Sequence, residues 1–238
     1  MKMRIFVFGS FMQPSAHLVR LNSFVRRFQD NNVQLTGVIT RTLPLKNRVG
    51  TYFNPRRTLR LMYRTVHKKK TQNDDLPVYF VKDFSSKESI EKIRSFKPDL
   101  MVFIGGREIL KPHLLEIPTI GTLGGHFGKL PEMRGMNVTE WALFHSKNPA
   151  VSIQFIDAGV DTGDIVFVRQ IPIERDDTIK SLREKSNLLC QQLLVDATKL
   201  VLEGKCPRQH QKPEEGKQYF TMHHRLIEIA QRNLSKMQ

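Results

Sequence analysis

Short runs of consecutive apolar residues alternate along this chain with stretches whose apolar positions recur at helical spacing, and the alternation predicts a β-α-β order. Arg4–Phe8, ended by Gly9 and Ser10, reads as a first strand and its turn; about Ser15 to Phe28 then places Leu18, Leu21, Phe24, Val25 and Phe28 on one helix face. Val33–Thr40 reads as the second strand and Leu76–Val81 as the third. Ser85-Ser86-Lys87-Glu88 has the Ser-x-x-Glu form of a capping box, opening a helix to about Phe96. Asp99–Ile104 is so continuously apolar that it predicts a strand buried on both faces, as in a parallel sheet.

Gly121–Asp164 changes this rhythm. A short apolar strand runs into a glycine-rich turn carrying His126, and a further strand, Val151–Ile156, runs into an acidic loop carrying Asp157, Asp161 and Asp164. Neighbouring strand ends would bring His126 and these aspartates together, in the crevice where open α/β sheets bind ligands, and a His with one such Asp makes a candidate acid/base pair. Ile165–Ile173 follows as a strand. Thr178 to about Leu202 is a long amphipathic helix, with Ile179, Leu182, Leu189, Leu193, Val201 and Leu202 near one side and Gly204 as its stop. The predicted fold is α/β, an open, mostly parallel twisted sheet with helices on both faces. Residues 1–206 form its main domain, with a basic insertion at about 43–75; residues 207–238 are a polar, proline-containing linker and a helix that packs back on the body.

Composition narrows the function classes. With 39% apolar residues over 238, one large core is within reach. The N-terminal apolar run is too short for a signal peptide, and nothing approaches the roughly 18 apolar residues of a membrane span, so a cytoplasmic protein without membrane attachment is expected. The two cysteines, Cys190 and Cys206, have no metal-ligand spacing, and no metal is expected. GxGxxG is absent after Gly9-Ser10, which leaves a Rossmann dinucleotide unsupported.

The net charge of +15 favours anionic partners. Arg56, Arg57, Arg60 and Arg64, followed by Lys68, Lys69 and Lys70, are either a solvated face or a site for phosphate. Gly105 and Gly106, before Arg107, Glu108, Ile109 and Leu110, would let backbone groups approach a ligand closely.

His126 with Leu130-Pro131 and Arg134-Gly135, then Trp141-Ala142-Leu143, then Asp157-x-Gly159-x-Asp161-Thr162-Gly163-Asp164, resemble the motifs of the folate-dependent formyltransferases. That family includes the methionyl-tRNA, glycinamide ribonucleotide and sugar-nucleotide enzymes. The likeness covers roughly Arg4 to Gly204, and its combined spacing is specific. It implies the formyltransferase-like Rossmann-type fold and 10-formyltetrahydrofolate as co-substrate, with the pterin near Arg107, Glu108, Ile109, Leu110 and Asp157. It also implies that His126 polarises the formyl oxygen while Asp161 holds the histidine and assists proton transfer from the attacking amine. Arg134, Arg56, Arg57 and Arg60 are expected on the acceptor side.

One position departs from the family. Its asparagine falls at Gly124, and losing one oxyanion donor typically costs about 10² to 10³ in rate. The replacements considered are Asn137, which could equally cap the following helix, and backbone N–H groups at Gly124 or Gly125. The expected acceptor is a small amine, anionic and nucleotide-linked or phosphorylated, such as an amino sugar, because the chain has no second stretch long enough for the tRNA enzyme's C-terminal barrel. The alternatives are a methionyl-tRNA-type enzyme, favoured by the basic insertion, and a catalytically silent folate or anion binder, favoured by Gly124. A homodimer is left open.

Overall fold

The computed structural model describes residues 2–9, 23–41, 76–104 and 109–238. Seven strands form one sheet: β1 (Ile5–Gly9), β2 (Gly37–Arg41), β3 (Val78–Val81), β4 (Leu100–Phe103), β5 (Gly121–His126), β7 (Ala150–Phe155) and β8 (Ile165–Gln170). Their order is β3-β2-β1-β4-β5-β7-β8. All pairs from β3 to β5 are parallel, while β5–β7 and β7–β8 are antiparallel. Two short strands, β6 (Met133–Gly135) and β9 (Lys217–Tyr219), pair in parallel apart from this sheet.

The apolar runs sit centrally because both their faces are covered. Ile5 and Val7 of β1 pack with Phe24 and Phe28 from the helical residues 23–30 (α1) and with Leu193 and Leu194 from α5 (Ile179–Leu202). Phe6 and Phe8 point the other way, against Ile90 and Ile93 of α2 (Lys87–Ser95) and Leu114 of α3 (Pro112–Leu115). Burying such side chains contributes roughly 1.5–3 kcal/mol each, so the alternation locks strand register. The sheet is thus open and mostly parallel, with helices on both faces.

Some sequence expectations shift. Val33 and Leu35 are buried but precede β2, so their apolar pattern reports burial rather than pairing. β3 starts at Val78, after Pro77, which has no N–H for the ladder and contributes its carbonyl to Val38 N–H. The helix after Ser85 is capped at Ser86 with no side-chain capping bond; instead Asp83 Oδ1 accepts from the N–H groups of Ser85 and Ser86. In α5, Thr178 and Ser181 form a reciprocal capping box, and Gly204 takes a left-handed φ of 68° after the helix. Leu202, expected on the buried side, is exposed.

The C-terminal residues do not hang free. Gln209 and Ile165 exchange two backbone hydrogen bonds, and Arg208 lies 3.5 Å over the Phe155 ring. The last helix, α6 (His224–Met237), buries Ala230 and Leu234, and Asn233 donates to the carbonyls of Leu143 and Phe144 at the end of α4 (Val138–Phe144). The basic stretch 42–75 lies outside the described residues. No helix among those described is long and apolar enough to cross a membrane.

Candidate active site

Period-two alternation on β5 sends Thr122, Gly124 and His126 to one face and Leu123 and Gly125 to the other. Antiparallel pairing sets Gln154 opposite Gly124 and Ser152 opposite His126, so these share the histidine's face. The carboxyl ends of β5 and β7 consequently lie at opposite ends of the pair, contrary to the expectation that adjoining strand ends bring the groups together. His126 and Asp161 meet because the loop after Phe155 turns back alongside the sheet.

His126 is buried, and its Nδ1 lies 3.2 Å from Asp161 Oδ2. Its Nε2 lies 2.7 Å from the Met133 carbonyl. Each ring nitrogen thus faces an oxygen acceptor. The turn beyond it is fixed by Ser152, whose hydroxyl donates to the Gly128 carbonyl at 2.7 Å and accepts from Leu130 N–H at 3.1 Å.

Asp161 takes a left-handed φ of 55°, which short acidic side chains tolerate better than most. Its Oδ2 also accepts from Gly135 N–H at 2.9 Å, and its Oδ1 from Gln154 Nε2 at 3.1 Å. Burial pushes this carboxyl up, but the hydrogen bond and charge of His126, with the Gly135 and Gln154 donors, outweigh it and hold Asp161 below its ordinary value. Because Gln154 Nε2 faces a carboxylate, its Oε1 points elsewhere, buried and without a hydrogen-bond partner among the described residues.

The other expected site residues are distributed differently. A side chain at Gly124 would run into Ile156, whose Cγ1 lies 2.7 Å from the position of a β-carbon there; the isoleucine fills the room an asparagine would need. Gly125 faces away from His126, flush against Cys190, whose buried thiol is pushed up to about 12 by desolvation. Asn137 stands at the N-terminus of α4, its amide shared between Glu140 Oε2 and Met222 N–H. Arg134, expected to meet the acceptor, is buried, with hydrogen bonds to Gln211 Oε1 and the Lys212 carbonyl.

Asp157 is exposed and accepts from Thr162 Oγ1 and Gly159 N–H, closing its own loop. Ile109 is exposed and Leu110 is in the core. Arg56, Arg57, Arg60, Arg107 and Glu108 lie outside the described residues. Phe127, Met136 and Val160 are exposed, and each directly adjoins His126, Gly135 or Asp161 in sequence.

Ser152, Gln154 and Gln211 were not anticipated. Ser152 and Gln154 had a legible signal, since they are the two polar residues in the otherwise apolar strand AVSIQF. Gln211 had none, lying in a segment whose composition reads as a linker.

The family model described as formyl transferase matches residues 4–198. A methionyl-tRNA formyltransferase of Clostridioides difficile is 28% identical over 192 residues, covering 80% of this chain and 59% of that protein. The chain spans about half the length of the methionyl-tRNA formyltransferases it matches. Among solved structures, a sugar N-formyltransferase of a Shewanella species superposes with a TM-score of 0.60 at 15% identity, covering 98% of this chain and 88% of its own. An N-formyltransferase of Helicobacter canadensis, solved with folinic acid and dTDP-3-aminofucose, gives 0.58 at 15% identity, covering 98% and 81%. At these identities the superpositions establish the shared fold.

Proposed function

As the chain belongs to the formyl transferase family, we propose that it moves a formyl group from 10-formyltetrahydrofolate to the amine of a small anionic acceptor, of the nucleotide-linked amino sugar class. The observation that carries this reading is the pair of buried His126 and half-buried Asp161, its carboxylate held by two further donors within the matched region.

In this reading the acceptor nitrogen bonds to the formyl carbon as the carbon's bond to the folate nitrogen breaks. The amine loses a proton and the folate nitrogen gains one. His126 donates from Nε2 to the formyl oxygen as negative charge develops there, for which it must exchange the Met133 carbonyl for that oxygen. Asp161, ionised at neutral pH, fixes the ring through Nδ1 and assists removal of the amine proton.

The acceptor class is supported by the sugar N-formyltransferases among the structural neighbours and by the net charge of +15. Two other readings each have an observation behind them. The curated relatives are methionyl-tRNA formyltransferases, which favours an RNA-borne amine. Ile156 in the space beside Gly124 favours a silent folate binder. Mass spectrometry of acceptors after incubation with 10-formyltetrahydrofolate separates the three: a formyl adduct on a nucleotide-linked amino sugar is expected. An adduct on methionyl-tRNA alone would move the acceptor to RNA, and folate binding without any adduct would overturn the enzyme reading.

A further inference from the structure

Residues 206–223 follow the matched region, yet they touch each backbone segment that contacts the His126–Asp161 pair. Gln211 is central to this. Its side chain is buried, and four hydrogen bonds satisfy it: Oε1 accepts from Arg134 Nε at 3.2 Å and Nη2 at 3.1 Å, while Nε2 donates to the carbonyls of Asp161 at 3.2 Å and Gly163 at 2.6 Å. A guanidinium only donates and carbonyls only accept, so the amide's orientation is fixed by its surroundings.

Each of these partners bears on the pair. Asp161 and Gly163 frame the bend that aims the carboxylate, at a residue whose φ is 55°. Arg134 directly precedes Gly135, whose N–H holds Asp161 Oδ2, and directly follows Met133, whose carbonyl holds His126 Nε2. On that same segment β9 pairs with β6, and Met136 N–H donates to the Tyr219 carbonyl. Gly135, with φ of 95°, lies flush against the Tyr219 backbone, where a side chain could not fit. One buried amide thus ties the loop carrying Asp161 to the strand that contacts both members of the pair.

We propose that Gln211 is a positioning residue for the His126–Asp161 pair, which makes segment 206–223 part of the active site rather than a connection. This rests on the formyl-transfer reading for its kinetic effect, but not for its geometry. Gln211→Ala removes both halves of the tie. Gln211→Glu keeps an acceptor for Arg134 but sets carboxylate oxygen against two carbonyls. Misplacing a reacting group by about 1 Å costs on the order of a hundredfold. We therefore expect kcat to fall between about tenfold and a hundredfold in both variants, with the donor's KM little changed.

The readout that a merely structural role would not move is the His126 ring: its ¹H–¹⁵N imidazole resonances should shift in Gln211→Ala and stay in place in Gln192→Ala, an amide lost from α5. If the alanine variant fails to fold, Gln211→Asn, one methylene short, should give an intermediate kcat and an intermediate shift. Wild-type kcat with unmoved imidazole resonances in a folded Gln211 variant would overturn the proposal. If the wild-type protein itself transfers no formyl group, the reading above has failed, and the imidazole resonances alone decide for Gln211.

Discussion

Strands β1 and β4 and strands β5 and β7 belong to one sheet but are built on opposite terms. Ile5–Phe8 and Leu100–Val102 bury only apolar side chains, and neighbouring strands run parallel. β5 and β7 bury Thr122, His126, Ser152 and Gln154 on their faces, and they run antiparallel. An unbonded polar group in such surroundings costs roughly 1–3 kcal/mol, so the second pair is tolerable only because most of these groups are bonded across strand and loop. The cost falls on the half that carries the candidate site, and the apolar half supplies the stability that offsets it.

The sharpest way to break this comparison is to exchange the kinds of damage. His126→Ala should lower formyl transfer by about 10² to 10⁴, with a modest change in melting temperature. Leu100→Ala, with the leucine fully buried, should cost about 2–5 kcal/mol in denaturant titration while the folded fraction keeps its turnover. If His126→Ala instead unfolded the protein and kept turnover per folded molecule, the division between the halves would be wrong.

Gly124 offers a smaller and more pointed test. Because Ile156 fills its side-chain room, Gly124→Asn should lower stability by about 1–3 kcal/mol and reduce activity. Gly124→Asn with Ile156→Ala should recover part of both. Equal stability of Gly124→Asn and wild type in chemical unfolding would show that Ile156 yields freely.

The smallest expected effect is in pH. The carboxyl of Asp161 is held below its ordinary value near 3.8, so its ionised form contributes stability that is complete above that value and lost as pH falls through the lower native one. Melting temperatures followed from about pH 5 to about pH 3 should decline less steeply in Asp161→Asn than in wild type. Identical slopes would mean that the His126, Gly135 and Gln154 bonds do not favour the carboxylate.

The two halves also differed in how much their residues disclosed. The apolar run of β4 announced a buried parallel strand, since a strand covered on both faces needs such continuity, and that of β1 announced a strand. The direction of β7 was not legible, because Val151–Ile156 is equally apolar whichever way it runs. The positions of His126 and Asp161 stood out through motif spacing, while the room taken by Ile156 depends on a side chain two residues beyond Gln154 across a strand pair. Gln211 was hidden more completely: its segment has few apolar residues, and hydrogen bonds to backbone carbonyls leave no periodic trace.

The central claim, that the His126–Asp161 pair performs the transfer, is tested most directly by kcat of Asp161→Asn against wild type, with 10-formyltetrahydrofolate and one acceptor formylated by the wild-type protein. The substitution preserves the shape of the side chain and removes its charge. The account predicts a fall of at least about a hundredfold with folate binding retained; turnover equal to wild type would contradict it.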